Sequence, residues 1–113
     1  MVRGIVFIAA LISCTAFSRA DPIEATWKRP NGVIVRFALC GVDFCASPTT
    51  TKYAGQPAGK LSGDGKGHYS GTLIDLKDNS IYKGKAAIHD QILTLTGCIF
   101  GGWICKSEDW LRQ

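Results

Sequence analysis

Apolar and polar residues alternate with a period of two along most of the chain after residue 24, which predicts β-strands. Residues 33–39 follow the turn formers Pro30, Asn31 and Gly32, and an Asn-Gly pair between two apolar runs is a strong hairpin signal. Residues 69–75 and 81–88 form a second predicted hairpin across the turn formers at 77–80. Further strands are predicted at residues 25–29, 91–97 and 103–111.

The segment 47–67 has no strong pattern and is rich in Gly, Pro, Thr and Lys. Such a composition is typical of a loop. We predict a mobile loop here, with one short edge strand near residues 50–53.

The strands follow one another in chain order with turns between neighbours, which indicates an all-β fold. We predict a small antiparallel up-and-down meander that closes into a β-barrel of about eight strands, because closure removes unpaired strand edges. Alternation also predicts which side chains face inward. The inward rows are Val33, Val35, Phe37 and Leu39, then Tyr69, Gly71 and Leu73, then Tyr82, Gly84, Ala86 and Ile88, and finally Leu93, Leu95 and Gly97.

Residues 1–20 have the pattern of a secretory signal peptide that is cut before Asp21. They contain Arg3, an apolar run at 4–12 that is too short to span a bilayer, and small residues at the end. This leaves residues 21–113 as a single β-barrel domain, in the periplasm or secreted. Residues 11–14 resemble a lipobox, so the alternative is a lipoprotein that an acylated Cys14 tethers to a membrane.

Four cysteines remain after the leader, and an even number in an exported chain predicts two disulfides. Cys40 to Cys45 and Cys98 to Cys105 are each spaced as a reversal between antiparallel strands requires, so we expect these two pairs. The two crossed connectivities stay open. A four-cysteine zinc site is the weaker alternative, since the wider gap exceeds the usual zinc spacing, and we expect no metal.

Charge and motifs exclude several function classes. Without Arg3 and Arg19 the chain keeps 11 basic and 9 acidic residues, a net charge of +2, which gives no case for nucleic-acid binding. Ser70 is in the fourth place of residues 67–71, which is not the Gly-x-Ser-x-Gly elbow of a nucleophile. The glycine-rich residues 63–67 lack P-loop spacing. We expect no enzyme activity and no cofactor.

Several stretches together carry a family resemblance: residues 23–28, 40–45, 71–75 and 81–85, and above all Gly97, Cys98, Gly101, Gly102, Cys105, Ser107 and Trp110. With them, residues 21–113 resemble the small exported bacterial proteins of domain of unknown function 2147. Ala25 departs from the glycine expected in the opening strand. The resemblance implies no established activity.

A broader resemblance is to the calycins, the lipocalin-like barrels, and it implies that the eight-stranded barrel is lipocalin-like (calycin-like). In calycins the first strand carries a tryptophan that closes one end of the barrel under a basic residue from the last strand. The resemblance implies that Trp27 lies under Arg112. On this interpretation Trp27, Trp110 and Arg112 are structural residues.

Two functions are compatible with these features. The first is a small carrier that binds an apolar or amphiphilic ligand, with large inward or rim residues lining the site: Phe37, Tyr69, Tyr82, Leu93 and Trp103. The alternative is a periplasmic interaction or inhibitor protein that presents its disulfide-braced loops to a partner enzyme. Its contact residues would be Phe44, Phe100 and Trp103.

Overall fold

The computed structural model describes residues 20–113, which form a closed barrel of eight strands with one 3₁₀ turn. The strands are β1 (Thr26–Lys28), β2 (Ile34–Cys40), β3 (Asp43–Pro48), β4 (Gly59–Gly63), β5 (His68–Asp75), β6 (Ser80–His89), β7 (Ile92–Ile99) and β8 (Ile104–Arg112), with the 3₁₀ turn at Phe100–Gly102. The predicted leader, apart from Ala20, and its Cys14 lie outside the described residues. Within residues 20–113, no helix has the length and apolarity needed to cross a membrane.

Each strand pairs antiparallel with the next strand in the chain, so the predicted up-and-down barrel is confirmed. Closure depends on the short β1, which pairs with β2 on one side and with β8 on the other. On the β8 side, Trp27 is opposite Arg112 and Lys28 is opposite Leu111. We refer to this β1–β8 contact as the seam.

The segment 47–67 differs from its prediction, because its strand is β4 and residues 50–53 form no strand. In β4 only Leu61 is a large apolar residue, and two glycines flank it where neighbouring side chains pack close. A Cβ on Gly63 would be 2.9 Å from the Tyr69 ring. These two glycines therefore serve packing, whereas Gly55, Gly65 and Gly67 have positive φ angles in turns. Residues 49–58 form turns, in which the amide of Ala58 donates to the carbonyl of Ala46 at 2.8 Å.

Strand directions divide the turns between two ends of the barrel. The open end carries the turns at residues 29–33, 49–58, 76–79 and 100–103. The closed end carries residues 21–25 and the turns at 41–42, 64–67 and 90–91.

Residues 21–27 plug the closed end, where Ile23 and Trp27 are both 0% exposed. The indole nitrogen of Trp27 donates to the carbonyl of Ile23 at 3.1 Å, and the Arg112 guanidinium lies 4.4 Å from the Trp27 ring centre. This is the contact that the calycin resemblance implies. It combines a fully buried aromatic side chain with a cation over its face.

The lower half of the barrel, next to this plug, is a packed core. Phe44 and Tyr69 meet edge to face with ring centres 5.8 Å apart, and Leu61 and Leu93 are 0% exposed. The Tyr69 hydroxyl donates to Asp21, and burial together with this bond raises the pKa of Tyr69 above its ordinary value. Leu39 was expected to face this core but is 58% exposed, since it lies next to the end of β2 at the rim.

The predicted disulfides, Cys40–Cys45 and Cys98–Cys105, are both present. Each joins neighbouring strands, with Cα atoms 5.8 Å and 4.1 Å apart. The first bridge braces the β2–β3 turn at the closed end, and the second braces the β7–β8 turn at the open end. The two bridged turns therefore lie at opposite ends of the molecule.

The glycines of the barrel wall provide a stability test. A Cβ on Gly71 would be 2.1 Å from the carbonyl oxygen of Lys60, whereas the closest atom to a Cβ on Gly97 is 3.6 Å away. We expect Gly71→Ala to lower the free energy of unfolding by about 1–3 kcal/mol, because backbone must move. The control Gly97→Ala should change it by less than about 1 kcal/mol. Urea denaturation measures both, and equal losses would contradict the steric explanation.

Candidate ligand-binding site

A cavity of about 610 Å³ occupies the upper half of the barrel and opens at the open end. Its volume is in the range of cavities that hold small molecules. Most of the inner wall is apolar, and its members come from seven strands or their adjoining turns: Val33, Val35, Phe37, Ala46, Pro48, Ala58, Leu73, Tyr82, Leu95, Gly97 and Trp110.

Two glycines on the neighbouring strands β6 and β7 form part of the barrel wall beside the cavity, but only Gly97 lines it. Gly84 pairs with Gly97 across β6 and β7. Leu73 packs directly over Gly84, where a Cβ would be 2.6 Å from the Leu73 Cγ atom. Gly97 has ordinary van der Waals space around it and lines the cavity. A side chain at position 97 would therefore project into the cavity rather than into packed wall.

Phe37 and Trp110 form the part of the cavity wall nearest the packed core. Their ring centres are 6.3 Å apart, and the two side chains are 1% and 6% exposed. Trp110 is opposite Leu93, which is fully buried. The cavity thus ends on rigid, well-packed aromatic groups, and residues 21–27 block the far end of the barrel.

β8 brings charged side chains onto this apolar inner face. Leu95 and Gly97 face the interior, and their partners in β8 are Glu108 and Lys106. Alternation places Lys106 and Glu108 on the same face as Trp110. The inner row of β8 is therefore polar toward the open end and aromatic toward the core.

Glu108 is neutralised within the site by Arg29, which follows β1. The guanidinium donates from Nε and Nη2 to the two carboxylate oxygens, each at 3.0 Å. Glu108 also accepts a 2.8 Å bond from the Trp110 indole nitrogen, and Arg29 lies 5.6 Å from the Trp110 ring centre. The bonds from Arg29 and Trp110 hold the pKa of Glu108 below its ordinary value, the Arg29 bond contributing most.

The mouth of the cavity carries three further cations, Lys52, Lys77 and Lys106, and one carboxylate, Asp75. The Lys52 ammonium lies 5.3 Å from the Tyr53 ring centre, a cation–π distance. Asp75 accepts a 2.9 Å bond from the backbone amide of Lys77. Among residues 20–113, none of the three lysines has a carboxylate within 4.0 Å.

The five predicted ligand-binding residues are divided by the structure. Phe37 and Tyr82 line the cavity. Tyr69 and Leu93 are 4% and 0% exposed in the core below it and do not line it. Trp103 is 88% exposed on the turn at the open end, outside the cavity.

The three predicted partner-contact residues do not form one surface. Phe44 is 7% exposed, because β3 turns its side chain inward onto Tyr69, so its expected exposure is not found. The Phe100 side chain lies outside the described part of the structure. Trp103 is exposed beside Ile104, which is 51% exposed. In the described part of the structure, the Cys98–Cys105 turn at the open end exposes an aromatic side chain, Trp103, and the Cys40–Cys45 turn exposes none.

Sequence reasoning missed Arg29, Glu108 and Lys106. The signal for two of them was present, since Lys106, Glu108 and Trp110 alternate along one predicted strand and must share a face. The contact from Arg29 depends on the seam, which joins residues 79 positions apart. No local pattern reports such a pair.

Other features of the described residues add no second candidate site. A hollow of about 530 Å³ lies outside the barrel beside Glu24, Arg36 and Thr49, and of the predicted ligand-binding residues it touches only Phe37. Within residues 20–113, no three His, Cys, Asp or Glu side chains are grouped so as to hold a metal ion.

The fold and the cavity define a small, closed, antiparallel up-and-down β-barrel of eight strands with an apolar cavity that opens at one end. Comparison with known families identifies its relatives: residues 56–112, which are β4 to β8, match the family described as "Uncharacterized protein conserved in bacteria (DUF2147)". The chain belongs to this bacterial family. No curated protein and no solved structure matches the chain significantly. Two disulfides in a bacterial protein are typical of a protein that works outside the cytoplasm.

The contact between Arg29 and Glu108 predicts a pH dependence of stability. The ordinary pKa of a glutamate such as Glu108 is about 4.5, and the pKa of Glu108 is lower in the folded protein. Its ionised form therefore stabilises the fold above about pH 4.5, and this contribution is lost as the pH falls through the lowered pKa. We expect Glu108→Gln to be less stable than wild type at pH 7, with a difference that shrinks on acidification.

Urea unfolding of both proteins between pH 7 and pH 3 measures this difference. Arg29→Gln is the matched variant, since it removes the principal cause of the lowered pKa, and it should show the same convergence with wild type. A difference that stays constant across the pH range would exclude the ionised Glu108 carboxylate as its cause.

Proposed function

We propose that this protein binds a small apolar or amphiphilic molecule in the barrel cavity. The observation that carries the proposal is the apolar cavity of about 610 Å³, open at one end and plugged at the other. A bound molecule would contact Phe37, Tyr82 and Trp110 and would enter between the turns of the open end. Binding, rather than catalysis, is the activity we propose.

The cavity wall supports binding through its rigidity. The strands around it are paired on both sides, and the barrel has no free edge. A preformed apolar site has little conformational entropy to lose when a ligand enters, which favours affinity. The Cys98–Cys105 bridge braces the β7–β8 turn at the mouth.

We further propose the periplasm as the location, after removal of residues 1–20 as a signal peptide. The disulfides and the bacterial family support a site of action outside the cytoplasm. A mature chain that begins at Asp21 would keep the whole plug, including the hydrogen bond from Tyr69 to Asp21.

Blocking the cavity tests the binding proposal. We expect the neutral apolar dye N-phenyl-1-naphthylamine to become fluorescent with the wild-type protein and to lose at least about tenfold in affinity with Gly97→Leu. The leucine side chain would occupy cavity space, and its first atom meets only ordinary contacts at 3.6–3.7 Å. Fluorescence titration gives both affinities.

Gly97→Ala is the control, because its methyl group adds little volume and should leave dye affinity within about twofold of wild type. Native mass spectrometry of protein purified from its own host adds an independent measurement, since a retained small molecule should appear as added mass. Equal dye binding by wild type and Gly97→Leu, with no retained molecule, would reject the cavity as a binding site.

A second candidate function is contact with a protein partner, such as an enzyme that this protein inhibits. The observation that favours it is Trp103, 88% exposed in the turn that the Cys98–Cys105 bridge closes. Exposed tryptophans on rigid turns are frequent hot spots of protein interfaces. The Cys40–Cys45 turn at the other end of the barrel cannot join the same contact surface.

Trp103→Ala separates the two functions. If Trp103 is a partner contact, the variant should lose capture of that partner in pull-downs from the host, since truncating a hot-spot residue to alanine weakens binding by at least about 2 kcal/mol. Dye binding should stay at the wild-type level, because Trp103 does not line the cavity. Unchanged capture of every protein recovered with wild type would exclude this turn as an interface.

A further inference from the structure

We infer that the cavity selects amphiphiles with an anionic headgroup, which the lysines of the mouth bind while the apolar chain fills the barrel. This inference rests on the proposed function and names the chemical class of its ligand. It follows from three features of the site: the state of the Glu108 carboxylate, the lysines that lack carboxylate partners, and the single opening.

The Glu108 carboxylate does not give the site a negative charge. Both of its oxygens accept hydrogen bonds from Arg29, and one also accepts the Trp110 indole bond. Such a bidentate pair is a planar, geometrically satisfied unit. Arg29 and Glu108 therefore cancel within the wall of the cavity, and the remaining charged groups decide the potential at the mouth.

Among the residues that line the cavity, those remaining groups are Lys52, Lys77 and Lys106 against Asp75, while Asp78 of the 76–79 turn does not line it. The lysines come from three different parts of the chain, the β3–β4 turn, the β5–β6 turn and β8, so they surround the opening rather than follow one strand. None has a carboxylate within 4.0 Å in the described structure. An anion at the mouth would meet cations from several sides.

Lys106 has the most specific position of the three. It occupies the inner face of β8 opposite Gly97, where no side chain competes for space. The inner face of a barrel strand usually carries apolar residues, as Trp110 does on this same face of β8, so a lysine at position 106 is unusual. A long aliphatic stem with a terminal ammonium suits the boundary between an apolar cavity and water, since the stem can line the wall while the charge stays hydrated.

The orientation of the ligand follows from the single opening. Ile23 and Trp27 fill the other end of the barrel and are 0% exposed, so no polar headgroup can lie there in contact with water. The apolar chain must point toward Phe37 and Trp110, and the headgroup must stay among the lysines. An amphiphile with an anionic headgroup should therefore bind more tightly than one with a cationic headgroup and the same chain length.

Titration calorimetry with dodecyl compounds tests the inference on the disulfide-bonded protein. Laurate should bind at least about tenfold more tightly than dodecyltrimethylammonium, with dodecyl maltoside between them, each below its micellar concentration. The preference should shrink with added salt, because the mouth is open to solvent. Acetate, which offers the same carboxylate without a chain, should not bind detectably.

Lys106→Gln should weaken laurate about two- to fivefold, as expected for a solvated ion pair, and leave dodecyl maltoside unchanged. Lys83→Gln is the matched control, because it removes the same charge from the outer face of β6 and should change neither affinity. Equal affinity of the three dodecyl compounds would overturn the charge selection but leave the cavity proposal in place. Failure of all three, while N-phenyl-1-naphthylamine still binds, would overturn the amphiphile class.

Acetate binding as tightly as laurate would also overturn the inference, since it would indicate an ion site at the surface with no contribution from the cavity. If neither the dodecyl compounds nor the neutral dye bind, the proposed function itself fails. Dye binding therefore tests the cavity as a binding site, and the dodecyl compounds test its preference for an anionic headgroup.

Discussion

The seam between β1 and β8 is the contact on which the rest of the structure depends. β1 has only three residues, and its direct pairing with β8 is limited to two residue pairs. Two reciprocal arginine–tryptophan contacts reinforce it: Arg112 of β8 covers Trp27 of β1, and Arg29 after β1 lies over Trp110 of β8. Without the seam the sheet would have two exposed edges, the plug would lose its support, and the cavity would become an open groove.

An arginine–tryptophan contact lies at each end of the seam, and the two contacts have different roles. At the closed end, the tryptophan is fully buried and the contact completes the plug. At the open end, the arginine also satisfies Glu108, which removes a negative charge from the cavity wall. The Arg29 side chain that reinforces the seam therefore also pairs with the Glu108 carboxylate in the cavity wall.

The sequence predicted the barrel well because alternation, turn residues and cysteine spacing are local signals. The sequence-based prediction missed strand β4, because Gly59 and Gly63 resemble loop residues. In the structure these glycines leave room for the large side chains of Leu73 and Tyr69 on the next strand. The prediction found Phe37 and Tyr82 because large inward residues are visible in the pattern. The pattern could not distinguish these cavity-lining residues from the core residues Tyr69 and Leu93. The depth of a side chain along the barrel axis depends on the stagger of all eight strands, which no local pattern reveals. Arg29 and Glu108 meet only through closure.

The disulfide pattern has a consequence for how the chain matures. Among the four cysteines of residues 20–113 the bridges are consecutive, Cys40 with Cys45 and Cys98 with Cys105, and neither bridge crosses the seam. A chain that emerges from its N-terminal end into an oxidising compartment meets the correct partner first at both steps. Oxidation can then precede closure of the barrel without trapping a wrong topology. Each bridge links only two neighbouring strands, so neither one imposes an order on oxidation and barrel closure.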